Sequence, residues 1–366
     1  MKKIVLSTDI GTDGDDALAL DICMNHSEIE IKGIYVTNGI VETRAKLAKS
    51  IVDKAKFKTQ VATGSEYPLS GHPNPFVLEY EEYAIPKKYK DKSLEELSIR
   101  RNGVESLAEK VSEGNIIIAS IAPLTTIAEA LEKYPNQLKK VKEVYIMGGR
   151  EGEYEHNFKF DPEAIKIILK SHLPIIIVPA DICDKLRLRK DKLGKLISSY
   201  GKMVYDSIRP KLAHDTTFNY NEALVSKQMD NNSIECYINL MLQSNRFPFH
   251  ISESFRMLTD NKIAMKKPDE YFLNMAVLKH MIETTPEIKF RKDILDFLNN
   301  HQIEKISVHD VYTIYSIIHP EKTKIEHCKI EVDNEGRMTK NKGSKHKIIT
   351  NLDYEHFEKF IDQYLY

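Results

Sequence analysis

Near its amino terminus the chain reads STDIGTDGDDALAL over residues 7–20, directly after the apolar run IVL at residues 4–6. The apolar run predicts a short first β-strand. Asp15 and Asp16, followed by alternating alanines and leucines, predict the start of a helix, because acidic residues favour the first helical turn. A strand, a turn with two glycines and a helix therefore follow one another here.

The same alternation of strand-like and helix-like patterns continues through the first 180 residues. The strand-like stretches are continuously apolar, which is typical of strands buried on both faces. We therefore predict an α/β fold with a mostly parallel open sheet and helices on both faces. The further predicted strands lie at residues 31–36, 115–119, 144–147 and 175–178.

Ligands of such sheets bind outside the carboxyl ends of the strands. The predicted functional edge therefore consists of the loops that begin at Ser7, Thr37, Ile121, Gly148 and Pro179.

Two long regions interrupt the alternation. Residues 65–98 are rich in proline, tyrosine and lysine and are interpreted as a long loop. Residues at about 185–300 have a polar helical pattern, which predicts a helical insertion over the ligand edge. Strand patterns return at residues 325–332 and 347–350, before a closing helix from Asp353. We interpret the whole chain, residues 1–366, as a single domain that includes this insertion.

The composition excludes several classes of protein. The formal net charge of -1 provides no basic field for nucleic acid. The four cysteines form no CxxC pair, which favours reduced thiols over a disulfide framework or a zinc site. No stretch approaches the ~20 apolar residues that a membrane span needs. These features predict a cytoplasmic protein without a nucleic-acid or membrane partner.

The acidic turn holds four aspartates within eight residues and no lysine or arginine. Helix capping is one interpretation, since the helix N-terminus favours negative charge. Capping alone does not explain the crowding, because like charges repel one another unless a cation neutralises them. Oxygen ligands without cysteine or histidine favour Ca²⁺ or Mg²⁺ over zinc. The spacing is not that of an EF-hand.

This acidic turn resembles the DxDPGxDDAxAL signature of the inosine–uridine-preferring nucleoside hydrolase family. Further resemblances follow in the family's order, and several in order are far more specific than one short match. Together they cover roughly residues 1–185 and 305–350. They are IAPLTTIA at 121–128, IMGG at 146–149, EHNF at 155–158, DPEA at 161–164 and VHD at 308–310.

The resemblance implies a Ca²⁺-dependent hydrolase that cleaves the N-glycosidic bond of a purine, pyrimidine or modified nucleoside to free base and ribose. It also implies a homodimer or homotetramer whose partner is a small-molecule nucleoside. For the metal, it implies side chains of Asp9, Asp16 and Asp310 and the backbone carbonyl of Thr125 as ligands. Asp9 would also be the general base. His309 would protonate the leaving base, although it could instead only orient Asp310.

For the substrate, the resemblance implies that Asp15 binds the ribose 2′-hydroxyl. Glu155 and Asn157 would bind ribose hydroxyls from the opposite side, and Asn38 is a weaker candidate. Glu155 and Asn157 also have structural interpretations: Asn157 could be a turn residue, and Glu155 could be a solvated loop carboxylate.

The sequence departs from the family pattern in three ways. Ser7 stands where the family usually has its first aspartate, and Thr126 stands where it usually has asparagine. The turn is also two residues longer, which adds Asp13 and leaves open whether Asp13 or Asp15 faces the sugar. The region expected to contact the base is the least familiar. Stacking on a base is one interpretation, and packing between helices the more common one, for its aromatic and histidine side chains. These are His72, Tyr83, His214, Phe218, Tyr220, Phe247 and His250.

Two other functions compete with nucleoside hydrolysis. A phosphatase with a DxDGT-type loop would need a nucleophilic aspartate, a later lysine and Mg²⁺. A catalytically impaired homologue that binds nucleoside or ribose would account for Ser7 and the altered turn.

Overall fold

The computed structural model of the protein describes residues 1–11, 14–71, 85–189 and 305–365. The chain divides into two compact units, Met1–Ile208 with Ser307–Tyr366, and Arg209–Ile306. Beyond Arg189, the predicted helical insertion lies outside the described residues. The single-domain interpretation therefore stays a prediction.

The strands of the described chain are as follows. They are β1 (Lys2–Thr8), β2 (Ile29–Val36), β3 (Val61–Thr63), β4 (Ile116–Ser120), β5 (Val141–Met147), β6 (Ile175–Val178), β7 (Leu188–Arg189), β8 (Lys305–Ile306), β9 (Thr323–Val332) and β10 (Met338–Leu352). Eight of them form one sheet in the order β3-β2-β1-β4-β5-β6-β10-β9. All neighbours are parallel except β10 and β9, which pair antiparallel. The predicted, mostly parallel sheet is confirmed.

Helices connect these strands. They are α1 (Asp15–Asn25), α2 (Val41–Lys54), α3 (Lys87–Lys90), α4 (Gly103–Val111), α5 (Thr125–Lys133), α6 (Pro135–Leu138), α7 (His156–Phe160), α8 (Pro162–Lys170), α9 (Ala180–Cys183), α10 (His309–Ile318) and α11 (Tyr354–Leu365), with a 3-10 turn at Pro320–Lys322. In this described part, none is long and apolar enough to cross a lipid bilayer.

Both faces of the central strands are buried. Val5, Ile116 and Ile118 belong to one apolar core cluster, which also includes residues of α4, α5 and α8. Ile4 and Ile117, which alternate with them along the same strands, are also buried. Because successive strand residues point to opposite faces, helices must cover both sides of the sheet.

The parallel register brings the carboxyl ends of β1, β2, β4, β5 and β6 to one edge. Ser7 lies opposite Ser120 of β4, and Thr8 lies opposite Val36 of β2. The loops that follow these strands are those predicted to form the functional edge, and their shared position is confirmed. The first of them begins after Thr8 and not at Ser7, which lies within β1.

Three differences from the sequence prediction concern weak local patterns. The sequence predicted neither β3, which has only three residues, nor α4. The strand predicted at 347–350 is the end of β10, which continues back to Met338. Its lysine-rich part pairs with β9 through backbone hydrogen bonds, and such pairing leaves no apolar pattern in the sequence.

Candidate active site

Three aspartates from opposite ends of the chain meet at the functional edge. Ligand oxygens of Asp15, Asp16 and Asp310 all lie within 4.8 Å of one another. Their residues are 6%, 4% and 5% exposed, so the carboxylates have little contact with solvent. Asp15 and Asp16 begin α1 and Asp310 lies in the first turn of α10, and these two helices pack against each other. The packing of two helix N-termini therefore brings the three acids together.

The three carboxylates carry charges of the same sign, so they repel one another and do not neutralise one another. Burial raises the pKa of Asp16 well above its usual range, and the nearby charges of Asp9 and Asp15 raise it further. A hydrogen bond from the Thr8 hydroxyl to Asp16 Oδ1 acts in the opposite direction. A cation among the three acids would favour their charged forms. Carboxylate oxygens are the donors that Ca²⁺ and Mg²⁺ prefer, so this set of residues fits a divalent cation.

Asp9 is not part of this group of three in the described residues. Its Oδ2 accepts a hydrogen bond of 2.8 Å from the Asn38 side-chain amide. Asn38 is buried, and its backbone adopts the left-handed conformation with φ 72°. Its backbone N–H donates to the Ser65 carbonyl at 2.9 Å. Asn38 is therefore placed to orient Asp9 from the loop after β2. The expectations that Asp9 binds metal and Asn38 binds ribose stay predictions.

Thr125 begins α5 and is fully buried. Its hydroxyl donates to Asp161 Oδ2 at 2.7 Å, and the same oxygen accepts from the Leu69 backbone N–H at 2.9 Å. Asp161 Oδ1 accepts from the Ala164 N–H at 3.0 Å, which confirms its predicted N-cap position. Asp161 thus links three segments around Thr125. The sequence indicated the cap, but not these two longer-range contacts.

Glu155 and Asn157 lie in the loop and helix that follow β5. Glu155 Oε2 accepts from the Gly149 N–H at 2.9 Å, and Oε1 accepts from the Asn157 N–H at 2.9 Å. The Asn157 side-chain amide donates to the Met147 carbonyl at 3.2 Å. Gly149 adopts φ 81°, and an added Cβ there would lie 2.7 Å from the Phe158 ring. The double glycine therefore allows the close turn that brings Glu155 to the end of β5.

The carboxylate of Asp184 contacts both His309 and Arg150. His309 Nε2 lies 2.9 Å from Asp184 Oδ1, and Arg150 donates to Asp184 Oδ2 at 2.5 Å. Burial lowers the pKa of His309, but the hydrogen bond to Asp184 and the charges of Asp15 and Glu155 outweigh it, so the pKa is raised. The hydrogen bond from His309 holds the pKa of Asp184 below its usual range, and Arg150 adds to this effect. His309 therefore lies within the field of the acidic site.

Asp184 is a site residue that the sequence interpretation missed. The available signal was its position five residues after Pro179, the start of the last predicted edge loop. A single carboxylate in a loop carries no pattern that would have separated it from Asp181.

Of the positions that depart from the family pattern, the structure describes Ser7 and Thr126. Ser7 is fully buried, and among the described residues its hydroxyl has no hydrogen-bond partner. Thr126 Oγ1 lies 3.0 Å from Thr37 Oγ1 and accepts from the Ser65 N–H at 2.8 Å, so Thr126 links two edge loops. Asp13 and all seven candidates for the base side of the site lie outside the described residues.

The chain belongs to the inosine–uridine-preferring nucleoside hydrolase family, whose model matches residues 4–359. Uridine nucleosidase 1 of Arabidopsis thaliana is 30% identical over 220 residues, which cover 55% of this chain and 63% of that protein. The pyrimidine-specific ribonucleoside hydrolase RihB of Escherichia coli O157:H7 is 24% identical over 211 residues, which cover 53% of this chain and 64% of that protein. The chain thus spans less than two thirds of the length of these relatives.

Solved structures show the same fold. A plant nucleoside hydrolase, the PpNRh1 enzyme, matches with a TM-score of 0.62 and 18% identity over 100% of this chain and 98% of that one. The purine-preferring ribonucleoside hydrolase from Gardnerella vaginalis matches with a TM-score of 0.61 and 16% identity over 100% and 98%. At these identities the likeness establishes the architecture alone.

Proposed function

We propose that this protein is a Ca²⁺-dependent ribonucleoside hydrolase that releases a free base and ribose from a purine, pyrimidine or modified nucleoside. The observation that carries the proposal is the group of buried carboxylates from Asp15, Asp16 and Asp310 at the carboxyl edge of the sheet. Membership of the nucleoside hydrolase family supports the choice of reaction.

In this proposal Asp16 and Asp310 hold the cation, and Asp9 and the Thr125 carbonyl complete its ligands. Asp15 lies in the same group, so its carboxylate can serve the ion and the ribose 2′-hydroxyl beside it. Ca²⁺ is favoured over Mg²⁺ because it accepts more oxygen ligands in less regular geometry. When bound, the ion supplies positive charge that lowers the pKa of nearby water and attracts the ribose hydroxyls.

The residues of the chain account for the bond changes. The bond between C1′ and the base nitrogen breaks, and its electron pair stays on the base. Positive charge develops on the ribosyl ring, where the surrounding carboxylates stabilise it. The oxygen of the attacking water bonds to C1′ while Asp9 accepts a water proton, and His309 donates a proton to the leaving base. Glu155 and Asn157 bind the remaining ribose hydroxyls.

The test is release of reducing sugar from a panel of purine and pyrimidine ribonucleosides. We expect turnover of at least one nucleoside, its loss in a calcium chelator, and its recovery on adding Ca²⁺. Absence of turnover on the whole panel, with tight ribose binding retained, would instead support the binding homologue. Hydrolysis of a phosphomonoester would support the phosphatase. The homo-oligomer implied by the family is a separate proposal, which light scattering of the purified chain tests.

A further inference from the structure

Asp184 has no role in the mechanism proposed above, but it contacts His309, which does. Asp184 follows the short helix α9, Arg150 follows the double glycine after β5, and His309 begins α10. The Asp184 carboxylate therefore joins the end of α9 to the loop after β5 and to the first turn of α10, through contacts of 2.5 Å to Arg150 and 2.9 Å to His309. Side-chain exposures of 27% for Asp184 and 21% for His309 place both partly inside the protein.

The geometry distinguishes the two nitrogens of the His309 ring. A carboxylate accepts hydrogen bonds, so the nitrogen beside Asp184 Oδ1, Nε2, carries hydrogen in this contact. Nδ1 is the other ring nitrogen, and the described residues provide no hydrogen bond to it. A carboxylate that engages one ring nitrogen sets which nitrogen remains for chemistry. Nδ1 is therefore the ring nitrogen that the Asp184 contact leaves unused.

Arg150 holds the Asp184 carboxylate in a fixed orientation. Its guanidinium donates to Asp184 Oδ2, while Oδ1 contacts His309 at 2.9 Å and lies 3.9 Å from the Arg187 guanidinium, too far for a hydrogen bond. Charge-assisted hydrogen bonds of this kind are shorter and stronger than neutral ones, so both side chains lose rotational freedom. The arrangement resembles a catalytic acid or base that is oriented by a neighbouring carboxylate, where the carboxylate itself does not contact the substrate.

We propose that Asp184, held by Arg150, is a positioning residue that fixes the His309 ring so that Nδ1 donates the proton to the leaving base. This proposal rests on the proposed function for its chemical meaning. An ion pair that only joins these segments would stabilise the fold and leave the proton transfer unchanged. The two possibilities therefore differ in how the effect of a substitution depends on the leaving group.

The test compares inosine and uridine with 4-nitrophenyl riboside, whose leaving group needs no proton. Asp184→Ala should lower kcat on the nucleosides about 10- to 100-fold, with KM within about threefold, because general acid catalysis is lost. The loss on 4-nitrophenyl riboside should be much smaller. The double variant Asp184→Ala, His309→Ala should be no slower on nucleosides than His309→Ala, since both changes remove one function. Asp184→Asn, which keeps an acceptor oxygen, should retain more activity than Asp184→Ala.

Asp181→Asn is the matched control, because Asp181 lies on α9, is exposed, and accepts a hydrogen bond from the Glu151 backbone rather than from His309. It should behave as the wild type on all substrates. Equal losses on nucleosides and 4-nitrophenyl riboside, or additive losses in the double variant, would overturn the positioning role. If Asp184→Ala fails to fold, the same comparison is made with Asp184→Asn and Arg150→Met.

A spectroscopic measurement separates this inference from the proposed function. At alkaline pH, where the imidazole is neutral, ¹⁵N NMR should show His309 with hydrogen on Nε2, assigned by its absence in His309→Gln. In Asp184→Ala the ring should populate both neutral forms. A wild type that shows the fixed form but cleaves no nucleoside would refute the function while supporting the orientation. If the wild type cleaves nucleosides, but Asp184→Ala changes neither kcat nor the position of the hydrogen on the His309 ring, the inference is refuted and the proposed function stands.

Discussion

The backbone N–H of Asp310 donates a hydrogen bond of 3.4 Å to the carboxylate of Asp15, although the two lie 295 positions apart in the sequence. This contact joins the first turn of α10 to the first turn of α1. Two helix N-termini therefore point at the same small volume, and their positive dipole ends partly offset the charge of the three acids. The remaining negative charge is the reason to expect a cation.

Removal of Asp310 should strongly weaken metal binding. Asp310→Ala takes away one of the three clustered carboxylates, and we expect Ca²⁺ affinity to fall at least about 100-fold, because each hard-ion ligand contributes strongly. Isothermal titration calorimetry measures the affinity. Asp91→Asn, on the exposed surface, is the control and should bind like the wild type. Wild-type affinity in Asp310→Ala would remove Asp310 from the site.

Asn38 allows its side-chain role to be separated from its backbone conformation. Asn38→Gly loses the hydrogen bond to Asp9 but tolerates φ 72°. Asn38→Ala loses the same bond and adds backbone strain, so it should unfold in urea with about 1 kcal/mol less stability than Asn38→Gly. Both should lose turnover to a similar extent, because both release Asp9. A fully active Asn38→Gly would show that Asp9 needs no such partner.

Asp161 should matter for stability more than its position as a helix cap suggests. Asp161→Ala removes acceptors from the Thr125 hydroxyl and from two backbone N–H groups. We expect a loss of about 2–4 kcal/mol in the free energy of unfolding, since buried donors are left without partners. Glu163→Ala, an exposed substitution in the same helical turn, should cost less than about 0.5 kcal/mol. Comparable losses in the two variants would show that the Asp161 contacts contribute little.

His346 should make stability depend on pH. Burial lowers its pKa, and its ring accepts from the Ile330 N–H at 2.9 Å and lies 2.9 Å from the Leu169 carbonyl. The folded protein therefore prefers neutral His346. Its contribution is present above the unfolded pKa of about 6.5 and is lost as the pH falls towards and through the lower folded value.

Unfolding in urea between pH 7.5 and pH 5 measures this effect, and His346→Gln should show a smaller decrease than the wild type. His327→Gln is the control, because His327 lies exposed on β9 beside β10. It should keep the wild-type decrease. Parallel curves for the wild type and His346→Gln would exclude His346 as the cause.

The sequence predicted the architecture because the deciding signals were local. Continuous apolar runs marked the central strands, and the parallel register then placed Thr8 and Ser120 at one edge without further information. Asp310 was connected to the acidic turn only through the family resemblance. Composition and spacing contain nothing that brings residues so distant in sequence together.

The contacts that the sequence did not predict are formed between single residues far apart. Asp184 and His309 are separated by 125 positions, and neither lies in a repeated or periodic pattern that would pair them. The first part of β10 also escaped prediction, because polar residues there are held by the backbone of β9 rather than by apolar packing. Such pairs depend on the folded geometry, which is set by many other residues.

The most direct test of the account is a crystal structure of the protein grown with Ca²⁺, with the ion located by its anomalous scattering. One ion should lie about 2.3–2.6 Å from carboxylate oxygens of both Asp16 and Asp310. An ion bound elsewhere, or an acidic group that stays without one at millimolar Ca²⁺, would contradict the account.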